Sequence, residues 1–258
     1  MKVKTTINNE SYEADLDKPV DLSLPTRTKD SFTAWYVDPA TIEPVKGEGF
    51  IGSVREGGVV NFFDMNINPH GNTTHTECVG HISKEKEDVN SVVSRFHFKS
   101  QIITIRPKKL TKDFSKWKRK NDLVFDKETI KNSLIRGIEA VVLRTQMDYD
   151  SLFNKQYNNT NWPYLLPDLT SYLRSFGVKH LLIDQPSVDR EQDGGELLAH
   201  KAFWDYPNSK DLERTITEFV AVPPKIKDGL FLLNLSFANF CNDASPSRPV
   251  VFKLEKTK

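Results

Sequence analysis

Cysteine is nearly absent: Cys78 and Cys241 are the only two in 258 residues. Two thiols do not make a disulfide scaffold, which needs several bridges in a shorter chain. A reducing compartment, the cytoplasm, is the expected setting. Long apolar runs are missing as well. Nothing approaches the roughly 20 residues that cross a bilayer, and residues 1–19 mix Lys, Glu and Asp with isolated apolar residues, unlike a secretory leader. No membrane partner is expected. A surplus of one charge is also lacking, since 36 Lys plus Arg face 35 Asp plus Glu. That argues against nucleic acid as a partner, because such binders carry a basic excess or stripe. The locally basic stretch 108–120 (Lys108, Lys109, Lys112, Lys116, Lys118, Arg119, Lys120) reads as a solvated face, as charge runs usually are. Gly-x-Ser-x-Gly does not occur, which excludes the nucleophile elbow of a serine hydrolase.

What is present suits one domain over 1–258, with residues 1–45 forming a hairpin and an irregular arm. A hydrophobic content of 38% supplies a sizeable core. Residues 2–7 and 10–16 alternate around Asn8-Asn9, a hairpin signal. Strands are expected at 59–68 and 101–105, and a helix at 127–135 capped by Asp126. The unbroken apolar runs AVVLR (140–144) and KHLLID (179–184) read as buried strands. A helix at 168–176, stopped by Gly177, lies between them. Strand, helix, strand in that order predicts a parallel crossover and an α/β fold. A helix at 194–204 and strands at 215–222, 230–240 and 249–254 follow.

Chemistry concentrates at 68–81, NPHGNTTHTECVGH. Three of the six histidines, His70, His75 and His81, fall within twelve residues. Glu77 follows His75 by two, and on an extended backbone such residues face the same way. Imidazole and carboxylate suit zinc, manganese or iron. Gly71 and Gly80 let the backbone fold tightly there. His97 and His180 read as structural strand residues. Cys78 stands between the candidate donors, where a thiol ligand is not expected.

The segment resembles the signature of the cyclase family that includes bacterial kynurenine formamidase and isatin hydrolase, His-x-Gly-Thr-His-x-Asp-x-Pro-x-His. Here His70, Thr74-His75, Glu77 and His81 follow that order. LLIDQPSVD (181–189) resembles the family's Gly-x-Asp-x-x-Ser-Val-Asp. His200 in LLAHKAFW and Glu218 in TITEFV resemble its second pair of metal ligands, and DASPSRPVVFKL (243–254) its final strand. The likeness runs from about 59 to 254. Three departures stand out: His75 follows His70 by five positions where the family has four, Glu77 replaces Asp, and Val79 replaces Pro. They predict a divergent branch with a substrate other than formylkynurenine.

The resemblance implies a swivelling β/β/α fold with a mixed, partly closed central sheet, and a site for a divalent metal, two Zn2+ or two Mn2+. His70, His75 and Glu77 would hold one ion and His200 and Glu218 the second, with Glu77 between them. His81 would be a proton shuttle. A metal lowers the pKa of bound water from about 15.7 toward roughly 7. The hydroxide would attack the carbonyl of a small N-formyl or cyclic amide, aromatic ones included, as an arylformamidase does. Trp35 and Phe203 are candidates to line the substrate pocket. Asp184, Ser187 and Asp189, at a strand end, are candidates to support the ligands from behind. The family also implies a homo-oligomer, dimer or tetramer. The alternative is a metal- or ligand-binding protein without catalysis on the same fold.

Overall fold

The structure, a computed structural model, describes residues 1–145 and 148–257. One sheet of ten strands dominates: β1 (Lys2–Ile7), β2 (Glu10–Asp15), β3 (Val20–Asp21), β4 (His75–Glu77), β5 (His97–Thr104), β6 (Ala140–Arg144), β7 (His180–Ile183), β8 (Thr215–Glu218), β9 (Gly229–Phe237) and β10 (Ala244–Lys256). Seven of them close into a ring, β10-β9-β5-β6-β7-β8-β4 and back to β10. The sheet is therefore a closed barrel. Strands β5 to β8 run parallel, and the remaining pairings are antiparallel. The β1–β2 hairpin extends the sheet outward from β10. Asn8 and Asn9 both take positive φ (50° and 64°), as a two-residue hairpin turn of the type that suits twisted strands demands.

Strand alternation explains the core. Val141, Leu143, Leu181, Ile183 and Ile216 join one cluster with Phe203 and Trp204, on the face covered by helices. Their neighbours Ala140, Val142 and Leu182 join another with Ile102, Leu233, Leu235 and Val251, which converge from around the ring and fill its interior. Both faces of β6 and β7, in the middle of the parallel set, are covered, hence their apolar sequence.

Three helices bear on the site. A single turn, α1 (Pro69–Asn72), is capped by the Asn68 side chain, which accepts from Gly71 N. Helix α2 (Pro167–Ser175) opens on Pro167 and stops before Gly177, whose φ is +95°. Helix α3 (Leu198–Trp204) starts four residues later than the sequence pattern implies. Gly194, Gly195 and Leu197 all have positive φ, and the Asp193 carboxylate takes the N–H groups of Gly195 and Leu197 into a turn.

Other expectations fail for identifiable reasons. The helix at 127–135 shrinks to a 3-10 turn, Lys127–Thr129. Beyond it the Gln101 side chain donates to Ser133 O and accepts from Ile135 N, so those backbone groups serve the sheet. The strand at 59–68 reduces to Phe63–Asn66, paired with Thr41–Pro44 outside the barrel. Lys118, read as part of a solvated face, is fully buried among carboxylates. Among the described residues, no helix is long and apolar enough to cross a membrane.

Candidate metal centre

Barrel closure builds the site. On β4, His75 and Glu77 point one way, and Thr76 points the other, where its hydroxyl meets that of Thr217 at 2.8 Å. Glu218 lies opposite His75 in the register with β8, and Ala244 lies opposite Glu77 on β10. Glu218 shares the face of Ile216, the helix-covered outer face, where α3 delivers His200. α1 supplies His70, and the 3-10 turn Val79–His81 supplies His81. Gly80 is required in that turn, because a Cβ there would lie 2.0 Å from the Glu87 carbonyl oxygen. The added residue between His70 and His75 does not carry His70 away: its Nδ1 lies 3.2 Å from Glu77 Oε2.

Glu77 is the hub and is fully buried. His200 Nε2 lies 3.2 Å from its Oε1. From Oε2, His81 Nδ1 is 3.8 Å away and His75 Nε2 3.9 Å. His75 Nε2 also lies 3.4 Å from Glu218 Oε2, and His200 Nε2 3.9 Å from Glu218 Oε1. The other ring nitrogens are spoken for. His75 Nδ1 faces the Thr73 carbonyl at 3.2 Å and His200 Nδ1 faces Asp189 Oδ2 at 2.8 Å. Both acceptors favour a proton on Nδ1, which leaves the Nε2 lone pairs aimed at carboxylates. Lone pairs directed at one another in a buried space repel unless a cation lies between them. The buried His75 Nε2 and Glu77 Oε2 correspondingly lack any hydrogen bond. Donor type, burial and these orphaned atoms all fit a divalent metal. Two sets of donor atoms converge within 4.8 Å of one another: His70, Glu77 and His81, and His75, Glu77 and Glu218.

Without a metal, protons answer the same concentration of negative charge. Burial opposes a charged His70, but the neighbouring carboxylates of Asp243 and Glu77 outweigh it and raise its pKa to about 10. His200 is likewise raised well above its ordinary value, burial losing to Asp189 and Glu77. Burial works to raise Glu77, yet the surrounding imidazoles hold it well below the usual carboxylate range.

Asp243, which opens the 243–254 motif but is not among the expected donors, belongs to the cluster. Its Oδ2 lies 2.9 Å from His70 Nε2 and 3.3 Å from His81 Nδ1. It precedes β10, and the β4–β10 register that closes the barrel brings it there. Behind the donors, Asp189 takes His200 Nδ1 and the N–H groups of Ala199 and His200, the first turn of α3. Ser187 Oγ accepts from Asp189 N, and Val188 N donates to Glu218 Oε1. Asp184 stands apart, bound to Thr145 N and raised to about 6 by burial. Trp35 packs edge-on to Trp162 at 5.1 Å, in a cluster with Phe219, whose ring is 6.0 Å from His75. Phe203 cannot line an open pocket as expected. It is fully buried in the main core, beneath the Arg214 guanidinium.

Comparison with known proteins agrees with this fold. No curated protein matches the chain. Among solved structures, a potential metal-dependent hydrolase with cyclase activity aligns with a TM-score of 0.65 at 14% identity, over 92% of this chain and 98% of its own. An isatin hydrolase bound to the product analogue thioisatinate aligns at 0.63 and 15%, over 92% and 93%. Isatin hydrolase A from Labrenzia aggregata, bound to benzyl benzoate, aligns at 0.62 and 14%, over 92% and 94%. The family model described as "Putative cyclase" matches residues 20–190, and the chain belongs to that cyclase family.

Proposed function

We propose that the protein is a metal-dependent hydrolase that cleaves the amide C–N bond of a small N-formyl or cyclic amide, aromatic substrates included. The observation that carries the reading is the convergence of His70, His75, Glu77, His200 and Glu218 from four separate elements, with lone pairs facing one another in a buried space. The solved relatives named as metal-dependent and isatin hydrolases support it. Zinc and manganese both suit these donors.

When bound, a divalent metal supplies Lewis acidity, polarising a carbonyl and making water acidic near neutral pH. The chain's own residues do the rest. Glu77 bridges the two donor sets. Asp189 fixes the His200 ring, and Val188 N fixes Glu218. His81, with 31% of its side chain exposed, is the most accessible of the four imidazoles, and Asp243 orients its Nδ1. It accepts a proton from the attacking water as the C–O bond forms and returns it to the leaving nitrogen as C–N breaks. A second reading makes His81 a metal ligand, favoured by its place in the set with His70 and Glu77.

We also propose a homo-oligomer. The excursion between Thr41 and Asn66 exposes Val54, Val59, Val60, Phe62 and Met65, and exposed apolar groups gathered on one segment are what a subunit contact would cover. Hydrolysis of N-formylkynurenine, isatin and simple cyclic amides, with and without chelator, tests the function. Chelator-sensitive, metal-restored turnover of one class is expected. Metal binding with no turnover of any amide would favour the non-catalytic alternative.

A further inference from the structure

Lys118 is fully buried, and its ammonium has no hydrogen bond. Three carboxylates surround it: Glu196 Oε2 at 3.5 Å, Asp189 Oδ1 at 3.6 Å and Asp193 Oδ2 at 3.9 Å. Burying an ammonium is costly unless it is paired, and one positive charge among three negative ones is a specific arrangement rather than incidental burial. Each carboxylate already has work. Asp193 holds the turn before α3, and Glu196 accepts from Ser115 Oγ. Asp189 holds the first turn of α3 and His200 Nδ1. The lysine is fixed in turn by its own loop. Phe114 N donates to Lys118 O, and Lys118 N donates to Ser115 Oγ. Trp117 closes on Gly194, where a Cβ would lie 2.2 Å from the indole nitrogen.

We infer that Lys118 is a positioning residue for His200. Its ammonium offsets the repulsion among Asp189, Asp193 and Glu196, which lets the 189–197 loop stay closed against α3. Asp189 thereby keeps His200 Nδ1–H in place, with Nε2 presented to Glu77 and Glu218. Without the cation the three carboxylates push apart, and Asp189 loses its register with the helix. The effect on metal affinity rests on the metal-centre reading above. The effect on the His200 ring does not.

Lys118→Met keeps the length and removes the charge. A second variant, Lys118→Met with Glu196→Gln, removes the cation with less repulsion left behind. Nitrogen-15 NMR of the histidine rings in metal-free protein reports whether the His200 Nδ1–H is retained, and competition with a chromophoric chelator reports zinc affinity. Loss of the protected His200 Nδ1–H is expected in Lys118→Met, with zinc affinity falling roughly 10–100-fold, as when a partner behind a ligand is removed, and a smaller loss of both is expected in the double variant. An unchanged His200 signal and wild-type zinc affinity in Lys118→Met, or a double variant as impaired as the single one, would overturn the inference. So would failure of both variants to fold while Asp189→Asn folds, since the lysine would then serve the fold alone. Wild-type protein that takes no zinc, beside loss of the His200 Nδ1–H in Lys118→Met, supports the positioning role and sinks the metal reading instead.

Discussion

Glu77→Gln changes a buried carboxylate into an amide of the same shape. The carboxylate has no exposure, and its two oxygens have imidazole nitrogens at 3.2 Å on each side. The amide keeps one acceptor, loses the charge and turns two N–H donors toward the cluster. Removing one partner from a buried charged set costs about 3–5 kcal/mol. At 1.4 kcal/mol per decade, metal affinity should drop by roughly two to four decades. Glu77→Asp keeps the charge at shorter reach and should fall between. Titration against a chelator of known affinity reads both variants, and thermal melts with and without metal show whether the fold is intact. A glutamine variant that folds and binds metal within about threefold of wild type would refute the hub role, since losing the charge should cost far more than 0.7 kcal/mol.

His81→Ala should retain metal while the rate falls by roughly 10²–10⁴, the range for a lost general acid–base; loss of metal together with activity would instead make His81 a ligand. The pH dependence of affinity follows from His70, raised from 6.5 to about 10 in the metal-free chain. Its stabilisation is fully present below 6.5 and lost as pH rises through about 10, so the metal-free melting temperature should fall over that window. Metal must displace the same proton, so His70 alone should make apparent affinity climb by about tenfold per pH unit until about 10; a flat profile would contradict the pairing. Phe203→Ala should cost about 3–5 kcal/mol of stability with KM unchanged. A raised KM at normal stability would return Phe203 to the substrate pocket.

Much of the barrel was legible because β6 and β7 are covered on both faces, which writes 140–144 and 179–184 as plain apolar runs. Helix 168–176 announced its end by Gly177. The 70–81 donors were legible because they are local, and His200 and Glu218 only through resemblance. Asp243 was not legible: its place beside His70 comes from the β4–β10 pairing, which no spacing rule encodes. Lys118 looked solvated because its three acidic partners come from the distant 189–196 loop. The helix expected at 127–135 lost to a single side chain, Gln101, that captured its backbone from the neighbouring strand. Local pattern cannot foresee a competing partner supplied by tertiary structure.

Elemental analysis of protein purified without chelator tests the central claim most directly, with Glu77→Gln and Glu218→Gln purified alongside. The account predicts one or two equivalents of zinc or manganese per wild-type chain and far less in both variants. Folded wild-type protein that stays metal-free after incubation with either ion, or variants that match wild type, would contradict it.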